Sequence, residues 1–251
     1  MNQPLRIKKT SVVQQAIERL KSYVSELSLA GVSRLPSEAE LTGFLGISRL
    51  TVREALVVLE RDGFVTRSHG KSTIINGFIQ RLRCRIDINR DIDAFLESKG
   101  HRTHSEVLSH AWRAAGPEEA ERLGIVEGAE LLVVKKVFMA DEIAVALYID
   151  RVPRSLFRHE RFNPDDFVKS MFPLVEETCG CRITHDVVEI APTTADKKLS
   201  ELFAVPPRSP ILRADVLEYT DEGIAVMYNT EFYHDKFIRF TLCRTIQYAT
   251  T

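Results

Sequence analysis

The sequence predicts an α+β protein in two parts: a small helical head closed by a hairpin, and a larger domain built on an antiparallel sheet. Three observations predict it. The charge is split: residues 1–85 hold 14 Lys and Arg against 7 Asp and Glu, and residues 86–251 hold 20 against 28, although the whole chain carries only −1. The first third places three helical segments before a basic turn. The rest contains the same helix-plus-hairpin pattern twice, about 80 residues apart. A basic module joined to an acidic one points to polyanion binding by the first and a different task for the second.

The elements follow in order. Val13, Ile17, Leu20, Val24 and Leu27 recur at spacings of 4, 3, 4 and 3, one face of an amphipathic helix over residues 11–30 that Gly31 ends. Ser37 then opens Ser-Glu-Ala-Glu, a capping box with Ser37 as N-cap and Glu40 at the third helical position, and a short helix runs to Phe44. Gly46 makes a turn. Ser48 caps a third helix in which Leu50, Ala55, Leu56 and Leu59 are expected to face inward, and Gly63 stops it. Phe64–Ser68 and Thr73–Ile75 read as short strands around His69-Gly70-Lys71-Ser72. Helix, helix, turn, helix, hairpin is the order of a winged helix-turn-helix.

Between 76 and 92, Arg81, Arg83 and Arg85 alternate with Leu82, Cys84 and Ile86, so part of this connector is expected to be extended with one charged face. Further on, Ala120–Leu123 is followed by Leu131–Val134 and Asp141–Val145, and Leu199–Leu202 by Ile211–Ala214 and Asp221–Val226. Each copy reads helix, strand, Asp-Glu turn, strand, which predicts a duplicated α+β domain around an antiparallel sheet. The expected domains are 1–76 for the head, 77–92 for the linker and 93–251 for the sheet domain.

In the head, a helix of this kind enters the major groove and offers its first turns to base edges. Ser48, Arg49, Thr51 and Arg53 occupy those positions. Arginine suits them because its planar fork meets a guanine edge or a phosphate with two bonds. The alternative is that these arginines are solvated, with Arg53 paired to neighbours at Glu54 or to Asp62. Arg67, His69, Gly70, Lys71 and Ser72 form the wing, placed for the minor groove or adjacent phosphates. Arg34, Ser37 and Glu38 complete the candidate DNA-contacting set.

Residues 35–75 resemble the winged-helix domain of the GntR family of bacterial transcription regulators, through "LPSE" at 35–38, "LGISRLTVREAL" at 45–56, "LERDGFV" at 59–65 and "HGKST" at 69–73. Two positions depart from the family pattern: Ala39 stands where Arg is usual, and Ser72 where the wing usually has a second Gly. "GHRTHSEVL" (100–108), "AERLGI" (120–125), "DEIAVALYIDRVP" (141–153), Ser170-Met171-Phe172, "KLSELFAV" (198–205) and "FYHDKFIRF" (232–240) resemble the effector-sensing UTRA domain of the HutC subfamily. That resemblance implies a chorismate-lyase-like α+β fold, a small-molecule effector and a homodimer acting on double-stranded operator DNA, as a repressor released by its effector.

It also implies a pocket. Lys136 and Phe138 stand where sugar-phosphate-sensing members carry Arg, Tyr148 and Met227 where they carry Glu, and Phe172 where they carry Tyr. A pocket so changed favours an anionic or polar-headed metabolite with an apolar body, anchored by Arg102, Thr103, Ser105, Lys136 and Ser170, with Glu231 as a further candidate. Phe138, Phe172 and Met227 could equally be core.

Other classes fit less well. No nucleophile–base constellation supports an enzyme, and a DNA-binding protein without a ligand would leave the second domain unexplained. His101-x-x-His104 and Cys179-Gly-Cys181 are too sparse for a metal site, so no cofactor is expected, and the cysteines read as reduced thiols. The polar, basic start and a longest apolar run of only Ile143–Ile149 predict a cytoplasmic protein with no membrane partner.

Overall fold

The computed structural model describes residues 12–68, 71–82, 84–87, 92–159 and 162–244. They form two compact units. One comprises Met1–Asn89 with Phe240–Thr251, the other Arg90–Arg239.

The first unit begins with α1 (Val12–Leu29), α2 (Glu38–Leu45) and α3 (Arg49–Arg61). The expected caps are present: Ser37 Oγ accepts from the Glu40 N–H while Glu40 reaches back to Ser37, and Ser48 Oγ accepts from the Thr51 N–H. Leu20, Val24, Leu41, Val52, Ala55, Leu56 and Leu59 form the core of this unit, each with at most 1% of its surface exposed. Full burial of the leucines and valines among them contributes about 1.5–3 kcal/mol each. Leu50 departs from expectation and is 66% exposed. At 100° per residue the positions Val52, Ala55, Leu56 and Leu59 share one face, and Leu50 lies opposite Leu59. Val52 takes the inward place assigned to it.

The hairpin follows as β1 (Val65–Thr66) and β2 (Ile74–Ile75), antiparallel, with Arg34 bridging to Ile74 as a third rung. A 3-10 turn (Gly77–Arg81) and β3 (Cys84–Arg85) come next, within the stretch expected to link the domains. Arg85 is not on an exposed charged face. It is 95% buried, donates to Asp87 and to the Asp62 carbonyl, and lies over the Phe64 ring. β3 pairs in parallel with β10 (Phe240–Thr241), the last strand among the described residues. Just past β10, Cys243 Sγ lies 2.9 Å from where a side chain on Gly63 would begin, and Gly63 has φ +79°. Only glycine satisfies both conditions.

The second unit contains α4 (Ile92–Glu97), β4 (Thr103–Ala114), α5 (Pro117–Leu123), β5 (Glu130–Ala140), β6 (Ile143–Pro153), α6 (Met171–Cys179), β7 (Ile183–Thr194), α7 (Lys197–Leu202), β8 (Pro210–Thr220) and β9 (Ala225–Tyr233). The sheet runs β4-β5-β6-β9-β8-β7, all neighbours antiparallel. It is two three-stranded copies meeting at β6 and β9, as the sequence repeat implies. The Asp-Glu turn of the first copy holds both Asp141 and Glu142 at positive φ, 47° and 64°, the backbone a two-residue hairpin requires. One sheet face packs on α5 and α7 through Leu123, Leu131, Tyr228, Leu199 and Phe203. The other carries α6 over Leu132, Val134, Val152 and Met227. No helix among the described residues is long and apolar enough to cross a membrane.

Candidate functional site

In the first unit the arginines converge on one carboxylate. Glu38, at the start of α2, accepts from Arg53 Nε at 2.7 Å through Oε2 and from Arg67 Nη2 at 3.2 Å through Oε1, and Arg49 Nε lies 3.6 Å away. The Arg53 hydrogen bond, with the charges of Arg67 and Arg49, holds the Glu38 carboxyl below its usual range against the opposing effect of burial. Arg53 therefore pairs across the turn, not with Glu54 or Asp62. Asp62 instead accepts from Lys21 Nζ at 2.8 Å.

Arg49 and Arg53 remain 66% and 59% exposed at their side chains, available to a second anion. Thr51 Oγ1 lies 2.8 Å from Ser48 Oγ and is engaged in the cap. Arg34, Lys71 and Ser72 are exposed around the hairpin, and Arg67 is fixed by its backbone N–H to Glu60 as well as by Glu38. His69 and Gly70 lie outside the described residues. The Glu38 junction was not foreseen, because its partners are 15 and 29 residues away in sequence.

In the second unit, cross-strand register sets which side chains share the α6-bearing face. Lys136, Tyr148 and Glu231 are direct partners across β5, β6 and β9. Asp150 opposes Asn229, and Glu218 on β8 opposes Met227. Lys136 is 3% exposed, donates to the Lys169 carbonyl at 2.7 Å and sits 5.1 Å over the Phe138 ring. Ser105 Oγ donates to the neighbouring Val168 carbonyl at 2.7 Å, and Ser170 caps α6. Lys136, Ser105 and Ser170 thus meet around residues 168–170.

Arg102 and Thr103 do not join them. Arg102 is exposed, and Thr103 donates to Glu97. Met227, 1% exposed, packs under α6, with Phe172 partly buried against the same cluster. His101 and His104 pair with Asp141 and Glu106 respectively. The cysteines form no disulfide.

Four buried polar residues are not among those the sequence points to. Asp150, Glu218, Asn229 and Thr230 are 2–4% exposed, and all but Thr230 face the α6 side with Glu231. Glu231 accepts from Asn229 Nδ2 at 3.1 Å and from the Tyr233 hydroxyl, which in turn lies 2.8 Å from the Tyr148 hydroxyl. Phe138 and Tyr148 meet edge to face at 4.7 Å. Burial, reinforced by the neighbouring carboxyls, raises Glu231 to about 8 and Glu218 well above its ordinary value, and burial raises Asp150 to about 6 against the pull of Lys136 and Arg151. The titratable groups named on this face are mainly acidic, with Lys136 a cation among them.

A capped helix offering arginines beside a basic hairpin, and a separate sheet domain with a polar, aromatic-lined face, define a DNA-binding regulator that responds to a ligand. Comparison with known proteins agrees. Residues 12–75 match the profile of the bacterial regulatory proteins, gntR family, and residues 98–238 match the UTRA domain. The chain belongs to the GntR family, in the group that carries a UTRA domain, a family of transcriptional regulators and not enzymes.

Among its relatives, the HTH-type transcriptional regulator Rv0792c of Mycobacterium tuberculosis is 30% identical, over 87% of this chain and 81% of that protein. The HTH-type transcriptional repressor NagR of Bacillus subtilis is 24% identical, over 88% and 90%. The fold is shared with the crystal structure of the possible transcriptional regulator YydK from Bacillus subtilis, at a TM-score of 0.77 and 18% identity, covering 94% of this chain and all of that one.

Proposed function

We propose that the protein is a cytoplasmic, homodimeric repressor that leaves a palindromic operator when a small molecule binds the sheet domain. The observation that supports this best is the cluster of Arg49, Arg53 and Arg67 around Glu38, with two of the three guanidiniums still largely exposed. In this reading α3 enters the major groove, Arg49 and Arg53 meet bases or phosphates, and Arg34, His69, Gly70, Lys71 and Ser72 address the flanking backbone. Ser37, Ser48 and Thr51 set the helix starts, and Glu38 orients the arginines without touching DNA. A two-fold dimer reads two half-sites about one helical turn apart. The relative NagR is named a repressor, which favours that sign. Effector and DNA affinities are then coupled reciprocally.

The test is anisotropy of fluorescent duplexes tiled from the DNA flanking the gene, with sedimentation of the same protein. Arg53→Ala is expected to weaken specific binding by roughly 1–3 kcal/mol. Unchanged affinity in folded Arg49→Ala and Arg53→Ala variants would remove α3 as the reading element, and a monomer bound tightly to a palindrome would remove the dimer.

A further inference from the structure

We propose that the ligand of the sheet domain is an organic ammonium, received by Glu231 and Glu218 and packed against Phe138, Tyr148 and Tyr233. The inference rests on the preceding assignment of this face as the effector site and names the class of molecule it takes.

The first ground is an imbalance of ionisable groups. Three carboxyl groups, Asp150, Glu218 and Glu231, occupy one face of β6, β8 and β9, close enough to act on one another. Among the described residues, Lys136 faces them as a cation and acts on Asp150; its ammonium also donates to the Lys169 carbonyl and lies over Phe138. Arg151, next to Asp150 on β6, acts on the same carboxyl, but its own guanidinium is bound to Glu119. Among the described residues, the side chains whose charge bears most on Glu218 and Glu231 are carboxyls, those of Asp150 and Asp186 and, for Glu218, that of Glu231. The donors to Glu231 are neutral: the Asn229 amide and the Tyr233 hydroxyl.

The second ground is independent of charge. Glu218 Oε2, Asp150 Oδ2 and Asn229 Oδ1 have no hydrogen-bond partner among the described residues, although the three side chains are 96–98% buried. Buried acceptors left unpaired are costly, and more so when charged. Three acceptors on one face ask for a donor with several hydrogens, which an ammonium supplies. Tyr148 and Glu231 are partly exposed, whereas Asp150, Glu218 and Tyr233 are buried.

The rings fix the kind of cation. Phe138, Tyr148 and Tyr233 form a chain of edge-to-face contacts at 4.7 and 5.9 Å, a surface suited to an apolar body and to cation–π contact. A bare metal ion is a poor fit, because among the described residues no three carboxyl, imidazole or thiol groups are placed to ligate one.

A consequence separates a cationic ligand from a neutral or anionic one. Glu231 holds its proton up to about pH 8, and an arriving ammonium favours the carboxylate. Binding therefore expels protons, and affinity rises with pH toward that value. Lys136, Asp150, Asp186, Glu218, Tyr148 and Tyr233 are the charged or titratable groups around Glu231 that shape this response.

The experiment uses the full chain. Phenethylamine, butylamine and putrescine are compared with phenethyl alcohol, butanol, phenylpropionate and butyrate in thermal melts and in calorimetry run in two buffers of different ionisation enthalpy. Amines are expected to raise the melting temperature and release protons below about pH 8, while the alcohols and acids do neither. Glu231→Gln and, separately, Glu218→Gln should stay folded and weaken the amines about 10- to 100-fold.

The proposal is overturned if no amine binds, if the acids bind in preference, or if amine binding survives in both variants. Operator release, measured in parallel, separates the two inferences. Amines that bind without releasing DNA leave the ammonium site standing and remove its regulatory role. Acids that bind and release DNA keep the effector site and remove the ammonium.

Discussion

Replacing Glu119 with Gln is expected to destabilise the sheet domain by about 3 kcal/mol at pH 7 and by much less in acid. Glu119 lies on α5, with its side chain 13% exposed. Its carboxylate takes Arg113 Nη1 at 2.7 Å, Arg151 Nε at 2.6 Å and the Gly116 N–H at 3.0 Å. These bonds, Arg113 foremost, hold its pKa at about 2 instead of the ordinary 4.5. At about 1.4 kcal/mol per pH unit, that difference corresponds to about 3 kcal/mol of folding free energy. Because the folded value is depressed, the contribution is full above about pH 4.5 and is lost as pH falls toward about 2; near pH 3 about 1.4 kcal/mol remains.

Trp112 is the single tryptophan of the chain and stands in the same unit, against Phe157 and Arg154. Its fluorescence in urea reports this unit's unfolding without the head's transition. A difference below about 1 kcal/mol at pH 7, or one of equal size at pH 3, would show that the clamp acts through shape and not through charge. The clamp also bears on the opposite face. Arg151 and Asp150 are neighbours on β6 and point to opposite sides of the sheet, so holding one helps fix the other.

Two other outcomes are expected. Leu56→Ala, at a position 1% exposed, should cost the head roughly 2–5 kcal/mol and abolish operator binding while leaving the Trp112 transition in place; loss of both signals together would mean the units unfold as one. In the absence of ligand, the sheet domain should lose stability as pH rises from about 4 to about 8, because Asp150 and Glu231 hold protons more tightly folded than unfolded. Thermal melts across that range should flatten in Glu231→Gln, and a wild-type stability that rises through the window would contradict the raised values.

Local signals made the head legible. Capping boxes, a 4-3-4-3 spacing and a basic turn each act within a few residues, so Ser37, Ser48 and the core face of α1 can be placed without knowing the fold. Leu50 is apolar, but helical phase turns it away from the core, opposite Leu59. The Glu38 junction and the β3–β10 pair were illegible, since both join residues far apart in sequence. In the sheet domain the duplicated pattern gave the elements. It could not give register, and register brings Asp150, Glu218 and Glu231 to one face. β6 also hides its polar member: Ile-Ala-Val-Ala-Leu-Tyr-Ile-Asp reads as an apolar run that stops at Asp150, whereas the strand continues to Pro153.

The pairing of β3 with β10 sets an order of assembly. Thr241 Oγ1 reaches the Cys84 carbonyl across 157 residues of sequence, and Cys243 packs on the core of the head. The helices of the head are synthesised first and fold through local contacts, which form quickly. The β3–β10 pair forms only after the whole sheet domain has been translated and residues 240–241 have left the ribosome. A nascent chain stalled or truncated after Tyr233 would carry all three helices and the hairpin, yet lack the strand that covers β3. Pulse-labelled hydrogen exchange should find protection at Ile86, whose N–H donates to Thr241, arriving after that of α1 and α3.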